Sequence, residues 1–191
     1  MKKIVFILLG ILLICTAAWA GGGKKQTAAA VITFDGQKFY LQYSAGNQQE
    51  WLNEYLPDGQ DFNTYTNMLT VRSYDGVEAT PMQIATAIAQ NFAQNYPGIK
   101  YSLSQNKETG DGAVSFIIAT DTIYECNVFR VTSQGGHPVA LQYVYRVYPP
   151  QGEGRQAAMA EFSKKAKNGW PVWLQALTDM PVPTVVRTVK S

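Results

Sequence analysis

The sequence predicts an α+β fold: a single domain in which an antiparallel sheet of about six or seven strands is flanked by two main helices. Three observations predict it. Short extended runs recur along most of the chain, separated by tight-turn dipeptides such as Asp35-Gly36, Asp75-Gly76 and Gly135-Gly136. Thr80 to Tyr96 carries an apolar stripe at helical spacing between clear start and stop signals. A second helical pattern follows the last extended run, from Glu153 to Lys167.

The stretch from Glu50 to Tyr74 organises the rest. Trp51 to Leu56 is rich in large apolar residues and ends at Pro57-Asp58-Gly59, a turn with proline first and glycine third. Asp61 is suited to cap a short helical turn, and Met68 to Tyr74 then runs extended. The connection carries Phe62, Tyr65 and Met68, which need a core to bury them. Upstream, Ala30 to Phe34 and Lys38 to Ser44 read as a hairpin across Asp35-Gly36, with Phe39, Leu41 and Tyr43 expected on one face.

In the first helix Thr80 is the N-cap, Pro81 takes the first helical position and Gln83 completes a capping box. Ile84, Ile88, Phe92 and Tyr96 form its stripe, and Pro97-Gly98 stops it. Four extended runs follow: Lys100 to Gln105, Ala113 to Thr120, Thr122 to Ser133 and Pro138 to Tyr148, expected as an antiparallel meander. Pro149-Pro150 ends the sheet. The second helix is expected to bury Ala158, Met159, Phe162 and Ala166 and to stop at Asn168-Gly169, with Trp170 to Leu177 as a separate short helix led by Pro171.

Residues 1–20 read as a signal peptide: Lys2 and Lys3, an apolar run from Ile4 to Ile14, and the A-x-A site Ala18-Trp19-Ala20. Lipid anchoring at Cys15 is the minor alternative; Ile14 is larger than the small residue such signals place before the cysteine. Residues 21–30 form a flexible lead, 31–180 the domain and 181–191 a tail. Cleavage leaves 171 of the 191 residues, enough for one domain with its own core. It also removes two lysines, leaving 14 basic residues against 14 acidic ones and no net formal charge. The expected location is periplasmic or secreted. No membrane span is expected after cleavage, and no clustered positive charge points to nucleic acid.

No motif for catalysis, cofactor binding or metal binding rises above background. The single histidine, His137, lies in a Gly-Gly-His-Pro turn, where a solvated imidazole has no orienting carboxylate. A histidine-rich metal site is excluded by that count. Asp58, Asp61, Asp75, Asp111 and Asp121 sit where Asp serves turn chemistry. Cys126 lies within a strand pattern and reads as a buried apolar residue. Glu125, Arg130 and Arg146 are charged residues inside hydrophobic strands. They face solvent, pair with one another, or line a cleft. With Tyr65 and Trp51 from an aromatic-rich chain, they are the candidate surface or cleft residues.

Trp51-Leu-Asn-Glu-Tyr-Leu-Pro followed by Tyr65-Thr-Asn-Met-Leu-Thr-Val resembles a pattern in small uncharacterised secreted bacterial proteins. That stretch and the helix after it are similar to PsbP-like domains, and the resemblance covers about half the mature chain. It implies an antiparallel sheet flanked by helices, with non-enzymatic binding or assembly roles, and it assigns no functional residue. The expected function is therefore a non-catalytic binding module for an unknown protein or small ligand. The alternatives are a secretion-linked chaperone or inhibitor, and a carboxylate-dependent hydrolase.

Overall fold

A computed structural model describes residues 31–189; the signal-peptide, Cys15 and lead readings lie outside them. The described residues form one open antiparallel sheet of eight strands with two helices. The strands are β1 (Val31–Phe34), β2 (Gln37–Gly46), β3 (Trp51–Pro57), β4 (Asn67–Ser73), β5 (Tyr101–Gln105), β6 (Gly112–Ala119), β7 (Tyr124–Gln134) and β8 (His137–Val147). The helices are α1 (Pro81–Asn95) and α2 (Arg155–Asp179). The sheet has eight strands rather than six or seven: each of the extended runs read in the sequence pairs, including the short ones at both sheet edges. β1 has four residues, and β5 is exposed at all but one of its five positions. Edge strands bury little, so their hydrophobic alternation is weak.

The strand order is β1-β2-β3-β4-β8-β7-β6-β5. Two meanders, each followed by a helix, meet where β4 pairs antiparallel with β8. α1 carries the chain from the centre of the sheet to its far edge. Side-chain alternation assigns the two helices to opposite faces. Tyr124, Cys126 and Val128 of β7 join the core under α2, while Phe129 and Val131 join the core under α1. Burial pushes the Cys126 thiol up to about 12, leaving essentially no thiolate at neutral pH.

α1 begins as the sequence predicts: Gln83 N–H donates to Thr80 Oγ1 and Thr80 N–H to Gln83 Oε1. Ile84, Ala85, Ile88, Ala89 and Phe92 are buried. The helix sits unusually close to β6. A Cβ on Gly112 would lie 2.9 Å from the Pro81 carbonyl oxygen and from Ala85 Cβ, so only glycine admits the helix at that height.

α2 corrects the sequence reading, since it runs unbroken through Asn168-Gly169 and Pro171. Gly169 is a packing position, not a cap. The Trp173 indole folds back over it, and a Cβ there would meet the ring at 2.4 Å. The backbone bond lost at Pro171 is offset by burial of Trp173 and Leu177 beyond it.

A second correction lies in β2. Phe39 and Leu41 point into the α2-side core, but the register shifts between Leu41 and Tyr43. This β-bulge turns Tyr43 to the α1 face and Ser44 to the α2 face. Tyr43 pairs with Glu54, and Ser44 is fully buried opposite Asn53.

The segment after α2 crosses the β2–β3 end of the α2 face. Asn53, fully buried, donates from Nδ2 to the Val186 carbonyl (2.9 Å) and to Ser44 Oγ (2.9 Å). Its Oδ1 accepts from Val186 N–H (2.6 Å). Asn53→Leu strips these partners and is expected to cost about 2–4 kcal/mol, the penalty for stranding buried polar groups. Urea unfolding measures the loss, and faster proteolysis near Val186 locates it.

Candidate functional site

The five residues singled out in the sequence do not form one cleft. Glu125, Arg146 and Tyr65 come together at the end of the α1 face, under the connection between β3 and β4. Glu125 Oε1 accepts from Arg146 Nε (2.6 Å) and the Tyr65 hydroxyl (3.2 Å), and Arg146 Nη2 lies 2.5 Å from the same oxygen as the second contact of the ion pair. The guanidinium lies 3.9 Å over the Tyr65 ring. Burial alone would lower the Arg146 pKa, but the Glu125 charge, Tyr65 and the hydrogen bonds outweigh it and the net shift is upward. Asp61 caps the turn that delivers Tyr65, its Oδ1 accepting from the N–H groups of Asn63 (2.8 Å) and Thr64 (2.9 Å). Tyr65 then packs with Leu56, Met68 and Val144 as a small core of its own.

Arg130 serves the opposite face. Its Nε donates to Asp111 (2.7 Å), and its Nη1 donates to the carbonyls of Leu177 (2.9 Å) and Thr178 (3.0 Å). It thus closes the C-terminal end of α2, where unpaired carbonyls and the helix dipole favour a cation. Trp51 lies at the far end of β3, half-buried, with its ring against the Gly46 backbone. These charged strand residues hold the fold together.

A different set of polar residues stands on the α1 face in the middle of the sheet. The register aligns Tyr43, Glu54, Thr70 and Gln142 side by side across β2, β3, β4 and β8. Arg72 follows Thr70 on the same face, and Asn127 is bound to Gln142, whose Nε2 donates to Asn127 Oδ1 (2.8 Å). α1 covers the β5–β8 side of this face and the Tyr65 connection covers its end. Tyr43, Glu54, Arg72 and Gln142 remain half-buried between them. Below them Thr70 Oγ1 and Asn127 Nδ2 are buried and have no hydrogen-bond partner. Such groups are uncommon in native interiors.

Burial pushes the Glu54 carboxyl up to about 6, against the opposing pull of Arg72. The folded chain therefore holds this proton more tightly than the unfolded one. The stability it gives is fully present below the unfolded value of 4.5 and is lost as pH rises through about 6. Glu54→Gln should behave like the protonated form at every pH. Its stability relative to the parent should rise by about 2 kcal/mol between about pH 4 and about pH 7, in paired urea titrations.

Sequence reasoning passed over this row because no single strand announces it. Glu54 and Gln142 each occupy an ordinary outward position in an alternating strand; only the register brings them together. The bulge that adds Tyr43 leaves no mark in the alternation.

Among the described residues no group of three or more His, Cys, Asp or Glu could hold a metal ion, and no helix is long and apolar enough to cross a membrane. The fold and this open polar face define a single-domain α+β protein. A family model matches residues 27–181, and the chain belongs to that family, which is uncharacterised. No curated protein matches it.

Proposed function

We propose that the chain is a non-catalytic binding module of the periplasm or cell exterior, with the α1 face between α1 and the Tyr65 connection as its ligand surface. The observation that carries this reading is the row of Glu54, Thr70 and Gln142, with orphaned polar atoms beneath it. Buried polar groups without a partner in the fold call for an explanation, and a polar ligand meeting this face supplies one. The signal-peptide reading supports the location, and the likeness to PsbP-like domains supports a binding or assembly role. Glu125, on which a carboxylate-dependent hydrolase would most naturally rest, is engaged by Arg146 and Tyr65. That weakens the hydrolase alternative.

The test is retention from periplasmic extract on the immobilised mature chain. Three forms are compared: the parent, Glu54→Lys with Gln142→Lys, and Lys164→Glu on the exposed side of α2. A species retained by the parent and the α2 variant but lost from the sheet-face variant supports the assignment. Equal retention by all three places the binding surface elsewhere.

A further inference from the structure

We propose that the row of Tyr43, Glu54, Thr70 and Gln142 takes a neutral polyhydroxylated ligand, an oligosaccharide lying along the row. The inference rests on the binding-module reading and names the ligand class for the same face.

The chemistry of the row narrows the ligand. Glu54 and the Gln142 carbonyl offer acceptors, Asn127 Nδ2 and the Arg72 guanidinium, one of whose nitrogens lies 3.6 Å from Glu50, offer donors, and the Thr70 hydroxyl can do either. A ligand that meets this mixture must itself donate and accept at closely spaced points, as hydroxyl groups do. Neighbouring strands lie about 4.8 Å apart, so the row from Glu54 to Gln142 is about 10 Å long, a reach that the hydroxyls of an oligosaccharide cover and those of one sugar ring do not. Tyr43 stands at the end of the row, partly exposed, where the apolar face of a sugar can meet its ring.

Other classes fit less well. An anion would meet Glu54, and a cation would meet Arg72. An apolar ligand would leave Thr70 and Asn127 unsatisfied. A peptide strand cannot add to the ladder here, because β3, β4 and β8 are all paired on both sides. The side chains of Glu54 and Gln142 are long and half-exposed. Their displacement opens the way to the buried atoms beneath.

Saturation-transfer and amide-shift NMR on the labelled mature chain test this with defined probes: the tetraoses of cellulose, starch, chitin and mannan, with tetragalacturonate and spermidine as charged comparators. At least one neutral tetraose is expected to bind, with shifts centred on Glu54, Thr70 and Gln142. Glu54→Gln and Thr70→Val, each shown folded by its amide dispersion, should weaken that binding at least about tenfold. Lys164→Glu should leave it unchanged. Binding by no neutral tetraose, preference for either charged comparator, or unaltered affinity in both row variants overturns the saccharide assignment. If the mature chain still retains an extract component through this face, the binding-module reading survives that failure. If the face retains nothing, both readings fall.

Discussion

Arg146→Leu is expected to lower unfolding stability by about 3–5 kcal/mol, because it leaves Glu125 buried without its cation. Glu125 is 7 % exposed, and its Oε1 accepts from Arg146 Nε and is ion-paired with Arg146 Nη2. Removing both charges is a different experiment. Arg146→Met with Glu125→Leu should return to within about 1 kcal/mol of the parent or exceed it, since a buried ion pair seldom outperforms well-packed apolar side chains of similar size. Urea unfolding read by tryptophan fluorescence gives all values in one series. If the single variant costs under about 1 kcal/mol, the pair is hydrated and belongs to an accessible cleft after all.

Tyr65→Ala is expected to cost a similar amount, about 3–5 kcal/mol. The ring fills the space between the β3–β4 connection and the sheet, against Leu56, Met68 and Val144, and supports the Arg146 guanidinium. Tyr65→Phe keeps the ring and loses the hydroxyl bond to Glu125, so it should cost only about 1–2 kcal/mol. The Tyr65 and Arg146 losses should not add, because the two side chains are in contact. A Tyr65→Ala protein as stable as the parent would show that the connection is not pinned by this side chain.

Much of the fold was legible in the sequence because its signals are local. The capping box at Thr80 and Gln83, the Asp35-Gly36 hairpin and the alternation of β7 and β8 each rest on residues within one turn or strand. Misreadings arose where distant contacts override a local signal. Gly169 looks like a helix stop until Trp173 is seen to lie across it, and Pro171 looks like a helix start until the burial of Leu177 is counted. Tyr43 looks like a partner of Leu41 until the bulge separates them. The meeting of β4 with β8, which joins residues far apart in the chain, has no local signal. The candidate site depends on that pairing, which is why Thr70 and Gln142 were not visible as neighbours. Glu125 and Arg146, by contrast, stood out because charge inside a hydrophobic run is rare; they proved to be one structural pair.

The polar residues of the sheet divide into those that hold the fold and those proposed to meet a ligand. Residues set aside for binding should cost the fold stability. The most direct measurement is the unfolding free energy at about pH 7 of the double variant Glu54→Leu, Thr70→Val, which leaves the bond from Gln142 to the buried Asn127 in place. The variant is expected to be at least as stable as the parent, since the change removes a carboxyl held above its usual range and an unpartnered buried hydroxyl. A loss of more than about 2 kcal/mol would contradict this division, placing Glu54 and Thr70 with Glu125, Arg146 and Asn53 among the residues that hold the fold together.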